Sequence, residues 1–90
     1  MGKKRERLEI IYDILAVIRK QRNECKPTHI LYKSNLSHQM MNEYLQELIQ
    51  NGLVVEKTIK SSKFYSLTDK GFQFLEKYAQ AMEFVKGFGL

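Results

Sequence analysis

The sequence predicts a mainly helical α+β domain, and three observations carry that expectation. Apolar residues recur at steps of three and four in separate stretches around 8–18, 41–49 and 72–85, the period of helices with a buried face. Two short runs of strand formers, Leu53, Val54 and Val55, then Phe64, Tyr65 and Leu67, lie close together. Between the first and second of these helical stretches begins THILYKSNLSHQMMNEYLQELIQNG, residues 28–52, which reads as two helices around a tight turn, the second longer and polar on one side. Ninety residues make one domain. A chain of this size hides only roughly 60–65% of the surface its unfolded form exposes, so a partner subunit would enlarge a small core.

The first helix begins at Leu8. Leu8, Ile11, Tyr12, Leu15 and Ile18 form one stripe, and Ile10, Ile14 and Val17 form a second beside it. A helix apolar over so much of its circumference is central and packed on two sides. Its wet side is marked by Glu9, Asp13, Ala16 and Lys20, and Arg19, Lys20 and Arg22 suit its C-terminal end, where cations meet the helix dipole. Residues 23–27 read as a polar connector. Pro27 or Thr28 then opens a short helix ending near Lys33, because proline tolerates the first turn and threonine caps it. Ser34 and Asn35 are turn residues, Leu36 is the apolar plug in the turn, and Ser37 caps the helix that runs to Gln50.

That helix carries Met41, Leu45, Leu48 and Ile49 on one side and His38, Gln39, Asn42, Glu43, Gln46 and Glu47 on the other; Asn51 and Gly52 end it. The strand-forming runs flank a polar loop, 56–63, without a strong two-residue turn signal, and predict a β-hairpin with a flexible tip. Thr68 or Asp69 caps a last helix from about Lys70 to Val85, and Gly87 and Gly89 keep it from running on to the end of the chain. Helix, helix, helix, strand, strand, helix is the order of a winged helix-turn-helix: a three-helix core, a hairpin wing and a C-terminal helix, here 70–86, available for dimerisation.

A net charge of +5 favours a polyanionic partner. The pattern places three tasks on double-stranded DNA. Ser37, His38, Gln39 and Asn42 lie where base edges are read, since amides can make bidentate contacts with adenine; Glu43 can accept from cytosine. Lys57, Lys60, Ser61, Ser62 and Lys63 lie in the hairpin, where lysines and hydroxyls meet phosphates. Lys33, Ser34 and Asn35 sit at a turn and helix N-terminus suited to a phosphate. Lys3, Lys4, Arg5 and Arg7 offer a basic arm. Of the five tyrosines, Tyr32, just before the turn, is the one expected outside the core and rim. On the last helix Leu75, Tyr78, Met82 and Val85, flanked by Ala79, form a heptad-like seam for a homodimer.

Other chemistry is poorly represented. Cys25 is the only cysteine, and Cys25, His29 and His38 lack the paired spacing of a metal site. No glycine-rich phosphate loop, nucleophile elbow or HExxH occurs, so neither an enzyme nor a cofactor is expected. Glu9 and Asp13 interrupt the first apolar stretch, which argues against a signal peptide, and Glu6 stands where a myristoylation motif needs Ser or Thr. No membrane partner or small-molecule ligand is expected, and the location expected is cytoplasmic, at the nucleoid.

RLEIIYDIL from Arg7, THILYKSNLS from Thr28, the leucine-bearing helix into NGLV and YSLTDKGFQFLEKY from Tyr65 together resemble the archaeal winged-helix proteins. These include the small dimeric chromatin-associated proteins of Sulfolobus and many predicted archaeal transcriptional regulators. The resemblance covers nearly the whole chain. It implies DNA binding through the helix after Ser37 and the hairpin tip, and antiparallel pairing of last helices. The last helix here is short, which fits a compact two-helix contact better than a long rod. The expected function is sequence-specific DNA binding by a homodimeric regulator. A sequence-tolerant chromatin protein and a protein–protein adaptor of the same fold are the alternatives.

Overall fold

The computed structural model describes residues 6–90. Its elements are α1 (Arg7–Lys20), α2 (Pro27–Ser34), α3 (His38–Gln50), β1 (Val54–Ile59), β2 (Ser62–Leu67) and α4 (Asp69–Lys86). The winged helix expected from the sequence is the fold observed. Helix α1 is its centre: Ile10, Ile11, Ile14, Leu15 and Ile18 are buried, and α1 touches α2, β2 and α4. Burying each such side chain contributes roughly 1.5–3 kcal/mol. Leu8 is exposed instead, while Asp13 and Ala16, expected on the wet side, are half-buried. The basic-arm residues Lys3, Lys4 and Arg5 lie outside the described residues.

Local signals set the helix ends. Pro27 stands at the first turn of α2, Lys26 rather than Thr28 occupies the cap position, and Asn35 closes the helix in the left-handed region at φ 53°. Leu36 is buried in the core as the turn's plug. Ser37 Oγ accepts from the Met40 N–H at 3.1 Å, and Thr68 Oγ1 accepts from the Gly71 N–H at 3.2 Å, each satisfying a donor at a helix start. Gly52 takes φ +76° after α3, a conformation that costs a residue without Cβ little.

The segment 23–27 is more than a connector. The Cys25 N–H donates to the Tyr65 carbonyl at 2.9 Å and the Tyr65 N–H returns a bond to the Cys25 carbonyl at 2.8 Å, a bridge on the side of β2 away from β1. Asn23, at φ 60°, accepts from the Leu67 N–H and donates to the Leu67 carbonyl, and the Ser66 hydroxyl donates to the Asn23 carbonyl at 2.6 Å. Buried Cys25 and these polar contacts fasten the root of the wing to the end of α1.

The wing is longer than expected. Strands β1 and β2 pair antiparallel from Val54↔Leu67 to Ile59↔Ser62, so Lys57 and Lys63 stand within strands and only Lys60 and Ser61 turn. Both have positive φ, 49° and 66°, as a tight two-residue hairpin with right-handed strand twist requires. Neither is Gly, Asn or Asp, which is why the sequence carried no turn signal. Replacing Ser61 with glycine is expected to stabilise the domain by about 0.5–1 kcal/mol by removing left-handed strain. A rise in the urea midpoint with an unchanged slope is the check.

Helix α4 leaves the core halfway along. Gly71 and Leu75 are buried, Phe74 and Tyr78 half-buried, and from residue 79 onward every residue is exposed. Tyr78 stacks on Tyr12 of α1 with ring centroids 4.6 Å apart, and Phe74 lies 6.0 Å from Tyr78. The molecule is correspondingly elongated, 49 × 33 × 21 Å.

Candidate nucleic-acid interface

Helix α3 shows how one face is held and the other left free. Met41, Leu45 and Leu48 fill the core. By helical spacing the residues farthest from them are Gln39, Glu43, Gln46 and Gln50, with His38 and Asn42 to one side; all six are exposed. Three glutamines and one carboxylate therefore line the outermost stripe. Gln46 and Gln50 join it although neither was among the candidate contacts. The signal that finds them is the continuation of Gln39 and Glu43 at the next two turns.

On the other side of α3, Arg7 of α1 pairs with Glu47. Arg7 is thus engaged by the domain and is not part of a free arm. The pair is well exposed, so its contribution to stability is small. Its electrostatic consequence matters more: a carboxylate on the flank of α3 has a cation beside it.

The sequence-predicted contacts separate into exposed and enclosed. Lys33, Asn35 and Ser37 are exposed around the turn between α2 and α3, and Ser37 already uses an oxygen lone pair as a cap. Ser34 is fully buried and its side chain is no phosphate contact. It lies four residues after buried Ile30, on the inward stripe of α2, and the helix extends one residue past Lys33 to include it. Tyr32 is 85% exposed beside Lys33, as its position before the turn predicts. Tyr65 is buried, with its hydroxyl donating to Glu56 Oε2 at 3.1 Å; desolvation, then that bond and the Glu56 charge, push its pKa up to about 12.

On the wing, Lys57, Lys60, Ser61, Ser62 and Lys63 are all exposed. Lys60 and Ser61 form the tip. Lys63 Nζ lies 3.8 Å from Glu56 Oε2, so part of its charge is already answered. A further cation, Lys26, lies 5.8 Å over the Phe64 ring. It was missed because only the Cys25–Tyr65 bridge brings it to the wing.

The predicted dimer seam also divides. Leu75 is 1% exposed and belongs to the monomer core, because α4 lies against the rest of the domain up to Tyr78. Ala79, Met82 and Val85 are on the uncovered half. The Cys25 thiol is pushed up to about 11 by burial and so stays protonated and unreactive near neutral pH. Among the described residues no three His, Cys, Asp or Glu side chains form a metal-binding group, and no helix is long and apolar enough to cross a membrane.

A core-packed helix with an open amide stripe, set beside a lysine-tipped hairpin, defines the winged-helix class. The chain belongs to the winged helix-turn-helix family, whose model matches residues 4–86. It is similar in structure to Sso10a-2, a DNA-binding protein from Sulfolobus solfataricus, with TM-score 0.79, 25% identity, and coverage of 93% of this chain and 85% of that one. It is also similar to F93 from STIV, a winged-helix DNA-binding protein (TM-score 0.73, 21% identity, 89% and 92% covered). A third likeness, to the Staphylococcus aureus transcription regulator MepR, has TM-score 0.79 at 14% identity, with 88% of this chain and 60% of MepR covered. This chain thus spans about three-fifths of MepR. No curated protein matches in sequence.

Proposed function

We propose that this protein is a sequence-specific double-stranded DNA-binding regulator that acts as a homodimer and carries no catalytic activity. The observation that carries the reading is the uncovered α3 stripe: among the described residues, Gln39, Asn42, Glu43, Gln46 and Gln50 are all exposed. Three glutamines and an asparagine have the donor and acceptor pairs that distinguish adenine in the major groove, each good bidentate contact discriminating by about 1–3 kcal/mol. Lys60 and Ser61 at the wing tip, with Lys33 and Asn35 at the turn, are placed to hold phosphates and set the register. The similarity to Sso10a-2 and the net charge of +5 support a nucleic-acid partner.

Homodimerisation is supported by the free half of α4. Met82, Phe84 and Val85 near the end of α4, and Phe88 just past it, are all exposed. Short helices without tertiary packing are marginal in water, and Met82 and Val85, three residues apart on one side of α4, offer apolar surface to a partner. A two-fold dimer would present two α3 helices to two half-sites.

Selection from a random duplex library at physiological salt tests the reading. A two-half-site sequence should be enriched. Substituting Asn42 with alanine should lower the preference for that sequence, whereas Lys60→Ala should weaken binding about equally on all duplexes and reduce the salt slope by about 1. Tight binding with no enriched sequence would transfer the protein to the architectural alternative. Absence of duplex binding at physiological salt would leave the adaptor alternative.

A further inference from the structure

The Cys25–Tyr65 bridge makes the segment before α2 a third strand of the wing, on the edge of β2 away from β1. Residues paired across adjacent strands point to the same face of a sheet, and successive residues alternate. Cys25, Tyr65 and Glu56 therefore share the inner face, where Cys25 and Tyr65 are buried. One step along, Lys26, Phe64 and Lys57 form a row across the outer face, with Lys26 Nζ 5.8 Å from the Phe64 ring centroid. Strands lie about 4.8 Å apart, so the two lysines start roughly 10 Å from each other on either side of the ring.

The two faces differ in charge. On the inner face Glu56 accepts from the Tyr65 hydroxyl at 3.1 Å and lies 3.8 Å from Lys63 Nζ, so the Lys63 charge is answered. On the outer face Lys26 and Lys57 are exposed, and among the described residues neither stands in an ion pair. By the same alternation Glu24 shares that face, but two residues nearer the root, so the positive end of the face lies toward the tip. Val55 and Ile59 lie on the same face, 40% and 43% exposed, and Phe64 is half-buried. Cations interleaved with apolar side chains suit a nucleic-acid backbone, where lysines meet phosphates and apolar surface meets sugars. Lys60 at the tip, three residues beyond Lys57, continues the same line.

We propose that the wing meets duplex DNA through its outer face alone, with Lys26 and Lys57 each holding a phosphate on either side of Phe64 and Lys63 taking no part. The proposal rests on the DNA-binding reading and deepens it. Lys26 comes from the residue that precedes α2, outside the hairpin, and the wing acquires a side as well as a tip. The contacts of Asn23 and Cys25 with β2 carry that cation to the interface, so the fastening of the wing serves binding as well as the fold.

Salt titration of binding to a mixed-sequence DNA duplex tests it on the whole chain, with Lys26→Gln, Lys57→Gln and Lys63→Gln compared. All three lysines are exposed, and each change removes a charge while keeping much of the stem, so thermal midpoints should stay nearly unchanged. Per bound copy, Lys26→Gln and Lys57→Gln should each lower the slope of log affinity against log salt by about 1 and weaken binding about fivefold at physiological salt. Lys63→Gln should leave the slope unchanged and move affinity less than about twofold. An unchanged slope in either outer-face variant, or an equal loss in Lys63→Gln, would overturn the sided contact and leave the α3 reading standing. An unsubstituted chain that fails to bind the duplex at physiological salt would remove both.

Discussion

Replacing Gly71 with alanine is expected to cost about 3 kcal/mol of stability, at the upper end for a single added methyl. A Cβ at this position would lie 2.4 Å from the Leu53 carbonyl oxygen, a backbone atom that cannot turn aside as a side chain can. The Leu53 carbonyl is already held, since the Thr68 N–H donates to it at 3.1 Å. Around the same junction Thr68 Oγ1 donates to the Gly52 carbonyl and Lys70 Nζ to the Asn51 carbonyl. The first turn of α4 thus clamps the chain where α3 passes into the wing. Relief of the clash must move α4 outward or shift residues 51–53, and either change opens contacts around Leu67 and Leu75. Urea unfolding of the Gly71→Ala chain should show the loss as a lowered midpoint. A change below 0.5 kcal/mol, on the ~1 kcal/mol scale of ordinary substitutions, would mean that this junction yields easily.

Substituting both Met82 and Val85 with glutamate should convert the proposed dimer into a monomer and lower affinity for a two-half-site duplex by more than about 100-fold. The loss comes from two sources. Two carboxylates per copy would have to be buried in an apolar contact, which is costly without partners. Once the copies separate, the second half-site is no longer engaged at the high effective concentration that linkage supplies, an advantage on the order of 10²–10⁴. Both side chains are exposed in the monomer, so the fold should survive, and affinity for a single half-site should fall far less. Sedimentation and duplex titration on the same preparations separate the effects. A double variant that remains dimeric would place the interface elsewhere on the molecule.

The distribution of glycine and capping residues shows how far local chemistry reaches. As helix caps, Ser37, Gly52 and Thr68 each act within three or four residues of their own position, and that role was legible because a hydroxyl acceptor or a positive φ is needed at a helix end whatever surrounds it. The amide face of α3 was legible for a similar reason: its apolar partners recur at helical spacing, leaving Gln39, Asn42 and Gln46 no place but outside. The Lys60–Ser61 turn was not, because strand pairing forces left-handed conformations onto residues that do not prefer them.

Ser34 and Leu75 mark the boundary more sharply. A serine next to an asparagine reads as a turn, and a leucine in a heptad reads as a seam. Their fates were decided by which neighbour arrived: α2 ran one residue further and turned Ser34 inward, and α4 stayed on the core as far as Tyr78 and took Leu75 with it. The bridge from Cys25 to Tyr65 and the pairing of Arg7 with Glu47 each join residues forty apart.

The sequence by itself determined the order of elements, the ends marked by Ser37, Gly52 and Thr68 and the polar side of α3, since these depend on hydrophobic period and on backbone groups that must be satisfied within a few residues. Only the tertiary structure decided where α4 leaves the core, which cations stand near the wing, and how the root of the hairpin is fastened. Those outcomes come from the competition of distant surfaces for burial, and no pattern confined to a few neighbouring residues records it.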